Sequence, residues 1–210
     1  MSVKLKRVST TADVLNKKYE NYEIRDSTLK DCFGTIPKKG VWLIWGGSGS
    51  GKSALSLQIA KELALIIGTK VYNNELEEED SEDYQKRLKT LGMHEIKNFF
   101  TIHDPLDELK TRLRKSKSAK IVIINSATYQ FKDKEEYFEF ANEFKKKKLI
   151  IIIAHADGSK PATELERRIM FDAHQKIFCE AYKATNRGRR FNKINTYIIW
   201  EEGHKKSTGK

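Results

Sequence analysis

Short runs of consecutive apolar residues alternate along this chain with longer charged segments in which apolar positions recur at helical spacing. The runs predict strands over residues 41–45, 70–73, 99–103, 120–125, 149–154, 175–182 and 196–201. Between them, the 3.6-residue period predicts helices over 53–67, 81–91, 105–115 and 134–147. Strand alternating with helix implies an α/β fold, a mostly parallel central sheet flanked by helices. Ile121-Val-Ile-Ile and Leu149-Ile-Ile-Ile-Ile are apolar on both faces, so both should be central strands covered on each side. The last two strands, separated by the basic segment 183–193, are expected to form an antiparallel edge.

The chain of 210 residues, 39% of them hydrophobic, can bury one real core and is neither disordered nor a large multidomain assembly. Residues 1–35 are polar and read as an N-terminal arm or helical lead-in, 36–202 as the core, and 203–210 as a flexible tail. The longest apolar stretch, 149–154, is far too short to span a bilayer, and no hydrophobic run follows Lys4, Lys6 and Arg7; no membrane contact and a cytoplasmic location are expected. Cys32 and Cys179 match no metal or redox spacing, which fits a reducing compartment. A net charge of +11 suits a polyanionic partner, although a charged surface also serves solubility alone. Lys145 to Lys148 close a predicted helix, where cations complement the helix dipole.

The strongest chemical signal is Gly46-Gly47-Ser48-Gly49-Ser50-Gly51-Lys52-Ser53, with Ala54 following, which satisfies the phosphate-loop pattern GxxxxGK[ST] at every fixed position. Its context is also right: an apolar strand ends at Trp45, and Leu55, Ile59, Leu63 and Ile66 share one face of the helix after it. Such a loop turns backbone N–H groups around phosphates at a helix N-terminus. Lys52 is placed to reach the β- and γ-phosphates, and the Ser53 hydroxyl to ligate Mg²⁺. No guanine-recognition [NT]KxD segment and no arginine-rich lid is present, which argues against a GTPase and a small-molecule kinase.

Three other strand ends carry candidate groups. After the second strand, Asn74-Glu75-Leu76-Glu77-Glu78 offers a carboxylate to orient the attacking water, and the same acidic run also makes an ordinary solvated helix start. The strand 120–125 ends in Asn125-Ser126, where an ATPase normally places an Asp; an amide can accept a hydrogen bond from a magnesium-bound water but brings no charge, and a simple capping pair is the alternative. The strand 149–154 delivers His155, able to donate to a γ-phosphate. Beyond it, Ser159 to Ile169 reads as a mobile loop whose Lys160, Arg167 and Arg168 could meet nucleic-acid phosphates. The cluster Lys183, Arg187, Arg189 and Arg190 could act as a finger in a neighbouring subunit's site, bind phosphate backbone, or only solubilise a turn.

Taken together, residues 33–202 resemble the RecA-like ATPase superfamily of RecA/RadA recombinases and DnaB-type helicases, especially its compact single-domain phage and prophage versions. The resemblance implies ATP and Mg²⁺ as cofactors and DNA-stimulated hydrolysis in recombination, repair or replication. It implies Glu77 as the catalytic glutamate with Glu75 in reserve, His155 as the γ-phosphate sensor leading into a DNA-binding loop, and Lys183, Arg187 and Arg189 as trans-acting candidates. A homo-oligomer, ring or filament, with ATP at each interface and DNA, single-stranded by preference, in a channel or groove is implied as well. Asn125 departs from the family's Asp-Ser and places the rate of hydrolysis in question more than ATP binding; a nucleotide-gated DNA-binding scaffold is the alternative.

Overall fold

A computed structural model describes residues 7–66, 68–188 and 193–209. The chain runs α1 (Thr11–Leu15), β1 (Asn21–Tyr22), α2 (Ser27–Phe33), β2 (Ile36–Pro37), β3 (Gly40–Gly46), α3 (Lys52–Ala64), β4 (Val71–Glu75) and α4 (Glu82–Thr90). It continues through β5 (Phe99–Ile102), α5 (Leu106–Arg114), β6 (Ile121–Asn125), α6 (Ala127–Gln130), α7 (Lys134–Phe144) and β7 (Leu149–Asp157). It closes with β8 (Lys160–Pro161), α8 (Glu164–Asp172), β9 (Gln175–Glu180), β10 (Lys183–Asn186), β11 (Thr196–Ile198) and α9 (Glu201–Thr208).

The main sheet has the order β11-β10-β9-β3-β7-β6-β4-β5, with β8 paired to the end of β7. From β9 to β5 every pairing is parallel, whereas β9, β10 and β11 form an antiparallel meander. Period-2 alternation splits the core in two. Trp42 and Ile44 of β3 join Leu149, Ile151 and Ile153 of β7 under α2 and α3. Val41, Leu43 and Trp45 join Ile150 and Ile152 against the opposite layer, where α7 buries Tyr137, Phe140, Ala141 and Phe144 at helical spacing. A fully buried Ile or Leu contributes about 1.5–3 kcal/mol. The consecutive Ile residues of β7, buried on both faces, therefore anchor the sheet centre.

Four segments differ from the sequence-based expectation. Residues 164–169, read as part of a mobile loop, belong to helix α8: Thr163 and Glu166 form a capping box, and Ile169 supplies the buried anchor. Residues 203–208, read as part of a flexible tail, belong to helix α9, which already begins at Glu201; the Trp200 ring lies over Gly203, where a Cβ would meet it at 2.1 Å, so only glycine fits. Residues 183–186, inside the basic segment, form β10. Within the expected arm or helical lead-in, α2 is helical and packs Leu29, Cys32 and Phe33 into the main core, so it is no separate arm. No helix among the described residues is long and apolar enough to cross a membrane.

Candidate functional site

The strand β3 ends at Gly46 and α3 begins at Lys52, and the turn between them lies at the carboxyl end of the parallel strands. Gly51 caps α3 with φ of 97°, a conformation that a side chain resists. Gly47 and Gly49 face open space on the side where a Cβ would project. The Ser50 hydroxyl is buried without a hydrogen-bond partner, and Lys52 Nζ, itself nearly buried, donates to the Gly47 carbonyl at 2.8 Å. Burial lowers the Lys52 pKa, and Glu77 is the foremost charge opposing that shift. A glycine cradle with open space, an orphaned hydroxyl and a lysine without a direct anionic contact is chemically complementary to a phosphate chain.

A cleft of about 180 Å³ opens over this turn, with residues 48–54 as its floor. Its walls are Glu77 and Glu78 from the β4–α4 segment, Arg87 from α4, His155 from β7 and Tyr182 from the β9–β10 turn. His155 Nε2 lies 3.6 Å from Glu77 Oε2 and 3.5 Å from the Ser126 hydroxyl. The structure thus brings the loop, Glu77 and His155 to one place. Glu75 takes no part in lining that cleft: it is buried below, and burial raises its pKa.

Asn125 is spent differently from the expectation. In register with Glu75 across the β4–β6 pair, its amide donates to both Glu75 oxygens, at 2.7 and 2.9 Å. The Asn125 amide nitrogen is therefore committed to Glu75, and only its carbonyl oxygen remains to accept a bond from a metal-bound water. Below this pair, Asn73 donates to the Tyr84 hydroxyl, and His103 Nδ1 donates to the Glu75 carbonyl at 2.6 Å, the bond that chiefly raises the His103 pKa.

Three side chains of the site escaped strand-end reasoning. Arg87 forks onto Glu78 at 2.8 and 3.2 Å, which orders the acidic segment beside Glu77. Glu166, fully buried, accepts the His155 backbone N–H at 2.8 Å and so ties the His155 strand end to α8. Tyr182 donates its N–H to the Ser50 carbonyl at 3.2 Å; it and Ala181 hold φ of 56° and 47°, a strained turn pressed against the loop. The Thr163-x-x-Glu166 pattern was the readable signal for α8. Nothing local marks the other two.

The basic candidates separate. Arg187 stacks on its own chain, 4.3 Å over the Phe178 ring, and donates to the Ser159 carbonyl at 2.9 Å. Lys183 starts β10, opposite Glu180 at the loop end of the sheet, and makes no ion pair among the described residues. Arg189 lies outside the described residues. Lys160 is exposed on β8, and Arg167 and Arg168 are exposed on α8, with Arg168 3.7 Å from Glu164. No group of three or more His, Cys, Asp or Glu suited to a metal ion occurs among the described residues, so a cation here would depend on phosphate oxygens and Ser53.

No protein-family model and no curated protein matches the sequence. Among solved structures, the chain is similar to a KaiC-like protein from the hyperthermophilic archaeon Pyrococcus horikoshii OT3. The TM-score is 0.66 and the identity 17%, with 86% of this chain and 94% of that one covered. That likeness defines the fold: an α/β P-loop architecture of the RecA/KaiC-like type, with a mostly parallel sheet and antiparallel C-terminal strands.

Proposed function

We propose that this chain binds ATP with Mg²⁺ at the β3–α3 turn and hydrolyses it, working as an oligomer on DNA. The observation that carries the reading is the approach of Glu77 and His155, 3.6 Å apart, at the cleft floored by residues 48–54. Lys52 and the amides of residues 47–53 hold the phosphates, and Ser53 would hold the magnesium ion, with the Asn125 carbonyl oxygen accepting from one of its waters. Bound there, the ion neutralises charge on the phosphate oxygens. Glu77 accepts a hydrogen bond from the attacking water and withdraws its proton. His155, held through its backbone by Glu166, stands beside Glu77 and donates toward the terminal phosphoryl group.

The oligomer and DNA parts of the reading draw on the basic residues. Lys183, on β10 with no ion pair among the described residues, is the cation left available for a trans-acting role, whereas Arg187 is held within its own chain. The net charge of +11 and the exposed Lys160, Arg167 and Arg168 beside the end of β7 suit a phosphate backbone.

Phosphate release tests the chemistry: Glu77→Gln should slow turnover about 10²- to 10⁴-fold while ATP binding persists, and undiminished release removes Glu77 from its role. A second reading, a nucleotide-gated scaffold with little hydrolysis, is favoured by one observation, the neutral Asn125 committed to Glu75. Native phosphate release no faster than the protein-free background, with MgATP still bound, would select it.

A further inference from the structure

The amino end of the same sheet carries a chemistry that the nucleotide site does not use. There Lys38 and Lys39 lead into β3, Lys120 into β6, and Lys146, Lys147 and Lys148 into β7. Two clefts of about 760 and 220 Å³ open at this end and share Lys120 and Lys147 as common walls. The larger also takes in Lys18, and the smaller Lys115 and Ser118. Their acidic neighbours are already engaged: Glu20 with Lys38 at 3.4 Å, Glu23 with Lys30 at 3.3 Å, and Glu143 in a fork with Arg114 at 2.7 and 2.8 Å. Lys18, Lys39, Lys120, Lys146 and Lys147 have no acidic partner within 4.0 Å among the described residues.

Helix-dipole compensation accounts for the exposed lysines after α7, but not for Lys148. Its ammonium is buried, donating to the Ser118 hydroxyl at 2.8 Å and the Ala119 carbonyl at 2.6 Å, with no carboxylate in contact. Burial, then repulsion from Lys120 and Lys147, brings its pKa down to about 8. A desolvated cation among like charges is unfavourable unless an anion completes the arrangement.

We infer that these adjoining clefts bind the phosphate backbone of a nucleic acid strand, at the end of the sheet opposite the nucleotide site. The larger cleft alone, about 760 Å³, exceeds what one phosphate fills, and lysines act as point charges that suit successive phosphates rather than a single bidentate anion. The lysines line concave surfaces, which a strand enters and a flat lipid surface does not. The aromatics lining the two clefts, Tyr22 and Phe144, are both buried and offer no stacking platform, so contact is with the backbone and independent of sequence. This inference rests on the nucleic-acid part of the proposed function but not on ATP hydrolysis.

The test is fluorescence anisotropy of a labelled oligothymidylate with the full chain, without nucleotide, over a series of salt concentrations. Lys120→Gln/Lys147→Gln should weaken binding at least about tenfold and flatten the log–log salt slope by about 1.4, while MgATP binding and the thermal midpoint stay native. Arg167→Gln/Arg168→Gln should have the smaller effect. If that second variant loses binding and the lysine variant does not, the assignment of the clefts is overturned while a DNA partner survives. If the native chain binds no oligonucleotide, or binds phosphatidylserine vesicles instead, both the clefts and the nucleic-acid reading fall, and the ATP reading stands apart.

Discussion

At the carboxyl end of the sheet, carboxylates meet cationic or donating groups: Glu77 with His155, Glu78 with Arg87, and Glu75 with the amide of Asn125. At the amino end, lysines from the starts of β3, β6 and β7 stand beside one another with their acidic neighbours already paired. The strands are the same in both places, and a seven-residue strand such as β3 separates the two ends by about 20 Å. Groups of opposite character that converge on one point can move protons and stabilise developing charge. Groups of one sign spread along a surface can only hold something of the other sign.

That contrast can be strained at each end. The largest expected effect is at the carboxyl end, where Asn125→Asp would set a second carboxylate against buried Glu75 in place of two donated hydrogen bonds. Stability at neutral pH should fall by about 3–5 kcal/mol, read from urea denaturation. The pair's pKa would rise above the unfolded value, so the deficit should shrink as pH falls through it and one carboxyl takes a proton. An equally stable variant would mean that Glu75 needs no donor, contrary to the geometry.

A smaller effect is expected at the amino end. Lys148 has its pKa lowered to about 8 in the fold, below its unfolded value. Between the two values the unfolded chain holds a proton that the native one has lost, so native stability gains with rising pH across that window. In Lys148→Met this gain should vanish, and the native-minus-variant difference in thermal midpoint should therefore change with pH only there. A difference that is flat across the window would mean that Lys148 is not desolvated.

How much of this was readable beforehand depends on how far apart the interacting residues are in the chain. The phosphate loop and the strands β6 and β7 are local patterns, a spacing and two unbroken apolar runs, and both stand where the sequence put them. The placement of Glu77 and His155 over one cleft follows from strand order, since both stand at carboxyl ends of parallel strands. The Asn125–Glu75 bond joins residues 50 apart through a β4–β6 pairing that no local pattern encodes. Helix α8 was legible in the Thr163-to-Glu166 capping box but masked by its weak apolar period, and α9 was hidden by Gly203, which reads as a breaker and serves as a seat for Trp200. Arg187 looked like a free cation because its aromatic partner Phe178 is brought alongside only by the β9–β10 pairing.

The account stands on the β3–α3 turn as a nucleotide cradle. Calorimetric titration of MgATP into the native chain and into Lys52→Ala measures this directly. Native binding weakened at least about 30-fold by the substitution is the expected result, the loss typical of removing one partner from a buried charged contact. Equal affinity in the two proteins, or no binding by the native chain, would contradict it.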